Sequence, residues 1–228
     1  MLSPLPRFVW LCLAFFISLP AAFAQEASAV RTLYLVRHGH YDPVPGADSR
    51  TANALNTLGR EQAELTGARL AGYPVTFTHV VSSEFTRSRE TGDLIAASLG
   101  LECRRDARLN EITPPGAGLR AEQIDDGAEA QLAAAWEHYS APNAGGDTHE
   151  LLVCHGNVIR WFICRALGVD PRQWTRMEIA NCSITMIQIR ADGTMRLQQF
   201  NEIAHVPVAK QTWSGKGPAW PLPANAKK

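Results

Sequence analysis

Two apolar runs in this 228-residue chain each end in a histidine followed by glycine: Leu33-Tyr34-Leu35-Val36 delivers Arg37-His38-Gly39, and Leu151-Leu152-Val153-Cys154 delivers His155-Gly156-Asn157. A glycine behind each histidine removes a Cβ where the chain must turn sharply and lets backbone or ligand come close. Ser82-Ser83 and Arg87 follow a third strand-like segment, and Asn110-Glu111 follow a fourth. Two arginines and two histidines gathered at strand ends describe an anion site, because the planar guanidinium fork matches phosphate oxygens. The helical pattern opening at Asn157 adds backbone N–H donors and the positive end of its dipole. A phosphate monoester is the ligand these residue types fit, with Gly39 and Asn157 completing the expected binding set.

The spacings contain no CxxC and no HxxxH pair, so the chemistry expected is covalent and no metal or other cofactor is expected. A side chain takes the phosphoryl group and water removes it. A neutral imidazole can attack at physiological pH, and neighbouring cations such as Arg37 and Arg87 disfavour its protonated form. The departing alkoxide needs a proton, and Glu111 is the candidate acid, since a nearby phosphate dianion raises a carboxyl pKa. Spacing alone leaves open which histidine attacks. Two other readings stand beside this one. His38-Gly39-His40 is an H-x-H pair that could start a metal-dependent hydrolase site, with His155 as a further ligand. The same pocket without turnover would be a phosphate- or phosphoprotein-binding module.

Positioning these groups requires alternating strands and helices, the pattern of an α/β domain with a mostly parallel central sheet between helix layers. Strands are expected over Arg31 to Arg37, His79 to Ser82, Leu101 to Arg105, Glu150 to Cys154, Ser183 to Arg190 and Thr194 to Phe200, the last two joined by the turn Ala191-Asp192-Gly193. Helices are expected over Leu58 to Ala71, Phe85 to Leu99, Ala128 to Tyr139 and Asn157 to Leu167, with Thr57 and Asn157 as N-caps. Pro114-Pro115-Gly116 marks Glu111 to Gly127 as a long loop of the kind that forms lids or walls.

Arg7, the apolar stretch Phe8 to Leu19 and Ala22-Phe23-Ala24 read as a secretory signal peptide over 1–24. That implies an exported, periplasmic enzyme with no stable membrane insertion after cleavage. The expected domain then spans 25–206, followed by a Pro- and Trp-containing tail over 207–228. With 22 basic and 22 acidic side chains the chain has no global field to recruit nucleic acid. A homodimer is the base-rate expectation for assembly. Cys103, Cys154, Cys164 and Cys182 lie beyond the signal segment, and their settings fit buried free thiols better than a disulfide framework. His79, His138, His149 and His205 lie in surface-like settings, and Trp136, Trp161 and Trp174 fit the core.

Five segments occur together in an order that resembles the phosphoglycerate mutase-like branch of the histidine phosphatase superfamily. They are Arg37-His38-Gly39, LNTLGREQAELTG, SSEFTRSRET, LNE and CHGNVIR. Within that branch, CHGNVIRWFICRAL and NCSIT are similar to mitochondrial serine/threonine protein phosphatases and their bacterial relatives. The resemblance implies a three-layer α/β/α phosphoglycerate mutase-like sandwich. It also implies a metal-independent phosphatase acting through a phosphohistidine intermediate on phosphoproteins or small phosphate esters. By it His38 is the phosphoryl acceptor, Arg37, Arg87 and His155 hold the phosphate, and Glu111 is the acid. His40-Tyr41-Asp42-Pro43 replaces the Ser and Asn that follow the nucleophile in true mutases, which argues against mutase activity.

Overall fold

The computed structural model describes residues 29–143, 145–213 and 217–218. Six strands form one sheet: β1 (Val30–Arg37), β2 (His79–Ser82), β3 (Cys103–Arg105), β4 (Thr148–Cys154), β5 (Ile184–Arg190) and β6 (Met195–Glu202), in spatial order β3-β2-β4-β1-β5-β6. The first four in that order run parallel, and the β5–β6 hairpin joins antiparallel to β1. Four α-helices cover the faces: α1 (Thr57–Ala71), α2 (Thr86–Leu99), α3 (Ala128–Ser140) and α4 (Gly156–Ala166).

Strand alternation sorts the central residues to the two faces. Leu33, Leu35 and Leu152 pack with Leu132 of α3 and Phe162 of α4, whereas Tyr34, Val36 and Val153 pack with Leu70 of α1 and Ile95 of α2. Both faces of β1 and β4 are therefore dry, which is why their sequences read as unbroken apolar runs rather than alternating ones. The register that pairs Arg37 with Cys154 brings the carboxyl ends of β1 and β4 side by side, so their histidines emerge as neighbours. β2 joins the same rim, with Ser83 N donating to Val153 O at 3.0 Å.

Two expected caps are corrected. Asn56, not Thr57, caps α1, its side chain accepting from Gly59 N at 2.9 Å. For α4 the cap is His155, because β4 ends at Cys154 and the helix begins at Gly156 with no loop between them, which leaves Asn157 inside the first turn. The segment from Glu111 to Gly127 contains a 3₁₀ turn over Ala121–Gln123 and is fastened to a second one over Pro171–Arg176. Ala117 N donates to Arg172 O at 2.8 Å, Trp174 Nε1 to Pro115 O at 3.1 Å and Thr175 Oγ1 to Ala117 O at 2.9 Å. It is a fixed wall rather than a free lid. Residues 207–213, assigned from sequence to the tail, are bonded into the domain. Residues 1–24, read as a signal peptide, lie outside the described residues. No described helix is long and apolar enough to cross a membrane. Cys103, Cys154, Cys164 and Cys182 are free thiols, and Trp136, Trp161 and Trp174 are buried.

Candidate active site

His38 leaves the end of β1 with only 2% of its surface exposed. Its Nδ1 lies 2.8 Å from Gly39 O. A carbonyl can only accept, so Nδ1 carries the proton and Nε2 presents a lone pair. That lone pair receives Arg87 Nε–H at 3.3 Å. Burial is the main reason the imidazole pKa falls well below 6.5, and Arg37, His155 and Arg87 push it the same way. The ring is thus neutral, with its nucleophilic nitrogen facing a guanidinium.

His155 is fully buried at the end of β4, its ring centroid 5.1 Å from that of His38. Its Nε2 lies 2.8 Å from Ser83 Oγ. Ser83 spends its own proton on Asn110 Oδ1 at 3.0 Å and accepts from Phe85 N, so His155 Nε2 is the donor in the neutral ring. The remaining atom, Nδ1, has no partner, and Glu111 Oε2 stands 3.9 Å from it. Burial, then Arg87 and Arg37, lower the His155 pKa well below its ordinary value. Ser83 Oγ thus caps the turn after β2 and supports His155.

Arg37 donates Nη1–H to Ile179 O at 2.6 Å, and burial lowers its pKa to about 10. Arg87 is 4% exposed, stacks over the Tyr41 and Phe85 rings at 4.9 and 5.0 Å, and donates Nη1–H to Ser49 O. Glu111 follows the 3₁₀ turn Ala107–Leu109 after β3. Burial raises its carboxyl to about 7, while Arg37, Arg87, Arg160 and the Asn157 backbone amide pull it back. Among the described residues, five buried side-chain polar atoms lack a hydrogen-bond partner, and three of them, Arg37 Nε, Glu111 Oε1 and His155 Nδ1, meet here. Buried polar groups are almost always satisfied, so orphans gathered in one concavity mark where a ligand completes the bonding.

The structure thus brings Arg37, His38, Arg87, Glu111 and His155 together, as their strand-end positions predict. Gly39 and Asn157 lie beside these groups. Gly39 N donates to Thr91 Oγ1, and a Cβ on Gly39 would stand 2.4 Å from Gly59 O, so chain packing requires a glycine here. Asn157 spends its side chain on Ile112 O and Arg160 Nη2, leaving its backbone amide facing Glu111. His40 lies past the strand end, its N–H bound to Gln62. Among the described residues no group of three or more His, Cys, Asp or Glu side chains is arranged to hold a metal ion.

Residues that sequence reasoning passed over complete the site. Arg160, on α4, stacks over Trp174 at 4.5 Å, donates to Gly156 O and Met177 O, and adds a third positive charge near Glu111. Its place in the CHGNVIR segment, one helical turn after Gly156, was the signal available for it. Two carboxamides grip the backbone around His38. Asn181 Nδ2 donates to His38 O at 2.8 Å, and Gln62 Oε1 accepts from His40 N at 2.9 Å. Both are held in turn by residues 210–212: Gln62 Nε2 donates to Lys210 O and Thr212 Oγ1, and Thr212 Oγ1 donates to Asn181 Oδ1 at 3.0 Å. His205, expected at the surface, has a side chain only 6% exposed, against Thr66 Oγ1 at 2.9 Å and Glu202.

Comparison with known proteins identifies the family and the fold. The family described as the histidine phosphatase superfamily (branch 1) matches residues 33–145 and 114–203. The chain is similar to the mitochondrial serine/threonine-protein phosphatase Pgam5 of Caenorhabditis briggsae, at 38% identity over 192 residues, 79% of this chain and 66% of the relative. It is also similar to the mitochondrial serine/threonine-protein phosphatase PGAM5 of Homo sapiens, at 36% over 199 residues, 83% and 68%. The chain therefore spans about two thirds of the length of these relatives. Among solved structures, phosphoglycerate mutase from Plasmodium falciparum superposes with a TM-score of 0.56 at 27% identity, covering 79% of this chain and 96% of that one. Mycobacterial glucosyl-3-phosphoglycerate phosphatase does so with a TM-score of 0.57 at 25% identity, covering 76% and 99%. The relatives overturn the expectation of an exported, periplasmic enzyme, since those matched are named as mitochondrial proteins.

Proposed function

The chain belongs to the histidine phosphatase superfamily, and from that premise we propose that it hydrolyses phosphate monoesters through a phosphohistidine at His38, with phosphoproteins as substrates. The observation that carries the reading is the neutral, buried His38 whose Nε2 faces Arg87 at 3.3 Å, beside a carboxyl raised to about 7. His38 Nε2 attacks phosphorus as the P–O bond to the substrate alcohol breaks. Glu111 gives its proton to the departing oxygen, and the alcohol leaves neutral. The Glu111 carboxylate then takes a proton from water as that water attacks the phosphohistidine; the P–N bond breaks, inorganic phosphate leaves, and both residues return to their starting states.

Arg37, Arg87 and Arg160 supply fixed positive charge around the phosphoryl oxygens without reorganising during the reaction. A phosphate dianion placed among them favours a proton on His155 Nδ1, which would turn that unpartnered atom into a donor. The protein-phosphatase names of the most similar relatives support phosphorylated serine or threonine side chains as the substrate. The test is turnover of an aryl phosphate by the purified full chain in excess chelator, alongside His38→Ala. The expected result is turnover that survives chelator, disappears in the variant, and leaves an acid-labile, base-stable phosphoryl group on the wild-type protein after quenching. Loss of activity in chelator would move the case to metal-dependent hydrolysis.

A further inference from the structure

The cavity that holds Arg87 and Glu111, about 450 Å³ in volume, does not close around a phosphate ester. Through Arg50, Phe85 and Asn110 it is continuous with a second cavity of about 210 Å³ bounded by Thr51, Glu84 and Arg89. The two adjoin across the buried Phe85 ring and together form a groove on the side of Arg87 and Glu111. Its ends differ in charge. Arg50 and Arg89 stand exposed at one end and form no ion pair among the described residues, while the exposed Asp125 and Asp126 stand at the other.

The arginine end is held rigidly to the catalytic machinery. Thr86, the first residue of α2, donates N–H to Arg50 O at 2.9 Å, and its hydroxyl donates to both Arg50 O and Thr51 O. Arg87 itself donates to Ser49 O at 2.9 Å. Arg89 Nη2 rests on Thr86 Oγ1 at 3.2 Å. The bank that carries the two free guanidinium groups therefore keeps a fixed place relative to the nucleophile. Among the residues lining the second cavity the acid is Glu84, which accepts from Asn110 Nδ2, so that lining carries two guanidinium groups against one carboxylate.

We propose that this groove is a peptide-reading subsite, which accepts a phosphorylated segment in extended form and selects acidic residues flanking the phosphorylated one. It rests on the phosphatase reading above and names the substrate class of that same site. A small ester occupies the first cavity only and gives Arg89, which lines the second, nothing to bind. An extended chain advances about 3.3 Å per residue, so residues next to the phosphorylated one reach the second cavity, where the arginine forks meet a carboxylate. Basic flanking residues are repelled at this end and tolerated toward Asp126.

The experiment measures kcat/KM of the full chain on matched phosphoserine peptides whose flanking residues are Asp or Lys on each side in turn, with an aryl phosphate in parallel. Arg50→Glu, Arg89→Glu and the double variant are compared with wild type, since none of these side chains belongs to the catalytic set. The expected result is a preference of roughly five- to thirtyfold for acidic over basic flanks, the size of two exposed ion pairs. That preference should invert in the double variant and shrink with added salt, while aryl phosphate turnover stays unchanged in Arg89→Glu, whose side chain lines the second cavity and not the first. Equal turnover of all peptides, or a preference untouched by the double reversal, with the aryl phosphate still hydrolysed, would overturn the groove alone. Failure to hydrolyse the aryl phosphate in wild type would overturn the phosphatase reading and the groove with it.

Discussion

On the proposed mechanism Glu111 should set the pH behaviour of this enzyme. As an acid it works only while protonated, and burial holds its pKa near 7 in the free enzyme. The useful form is therefore present below about pH 7 and lost above it. The kcat/KM of an alkyl phosphate, which needs its leaving oxygen protonated, should fall as pH rises through 7. His38 adds no acidic limb near 6.5, because burial and Arg37 hold its pKa well below that. Glu111→Gln should remove the basic limb and lower turnover of alkyl phosphates by roughly 100- to 10,000-fold, with a much smaller loss for a nitrophenyl ester; pH–rate profiles of both substrates check this. An equal loss for both would count against the acid role. At this scale the sequence was informative where a polar residue stood at or shortly past a strand end, as Arg37, His38 and His155 do and as Glu111 does beyond the 3₁₀ turn after β3. Gln62 had only its place in the LNTLGREQAELTG segment, because nothing in a helix-borne glutamine shows that its face turns toward the His38 backbone.

At the scale of elements, the strand and helix patterns were legible because burial imposes them: β1 and β4 are dry on both faces, and α1 and α2 close with glycine, Gly100 in the left-handed conformation at φ 67°. Caps were less legible, because Asn56 and Thr57 are both good capping residues and only the geometry of Gly59 N decides between them. The strap over 208–213 was illegible for a different reason. Its bonds to Gln62 and Asn181 are long-range and polar, with no periodicity to announce them. Thr212 is placed to hold both carboxamides that fix the His38 segment, so Thr212→Val should reduce kcat by roughly ten- to hundredfold through misplacement of the nucleophile. KM should stay near wild type and Thr212→Ser should restore the rate. Steady-state kinetics with kcat normalised to the phosphoryl-enzyme titrated per chain separates this positioning role from general destabilisation, since a merely unstable protein would keep the wild-type kcat per active site.

The whole molecule is electrically balanced, with 22 basic and 22 acidic side chains, yet it concentrates Arg37, Arg87 and Arg160 in one cleft. Anion affinity is therefore local rather than a property of a global field. Inorganic phosphate binding only the folded state should stabilise it by about 1.4 kcal/mol at ten times its dissociation constant. That gain should be read as a shift of the denaturant midpoint and lost in Arg87→Ala.

The strap also fixes when the active site comes into being. β1, which carries the nucleophile, is made early, but Gln62 reaches Thr212 across 150 residues and Asn181 reaches His38 O across 143. A chain still emerging from the ribosome can form its first strand and helix and yet hold His38 on an unsupported turn. Full activity should appear only after residue 212 has been synthesised and docked, so chains terminated before it that keep His38, Glu111 and His155 should turn over no faster than Thr212→Val.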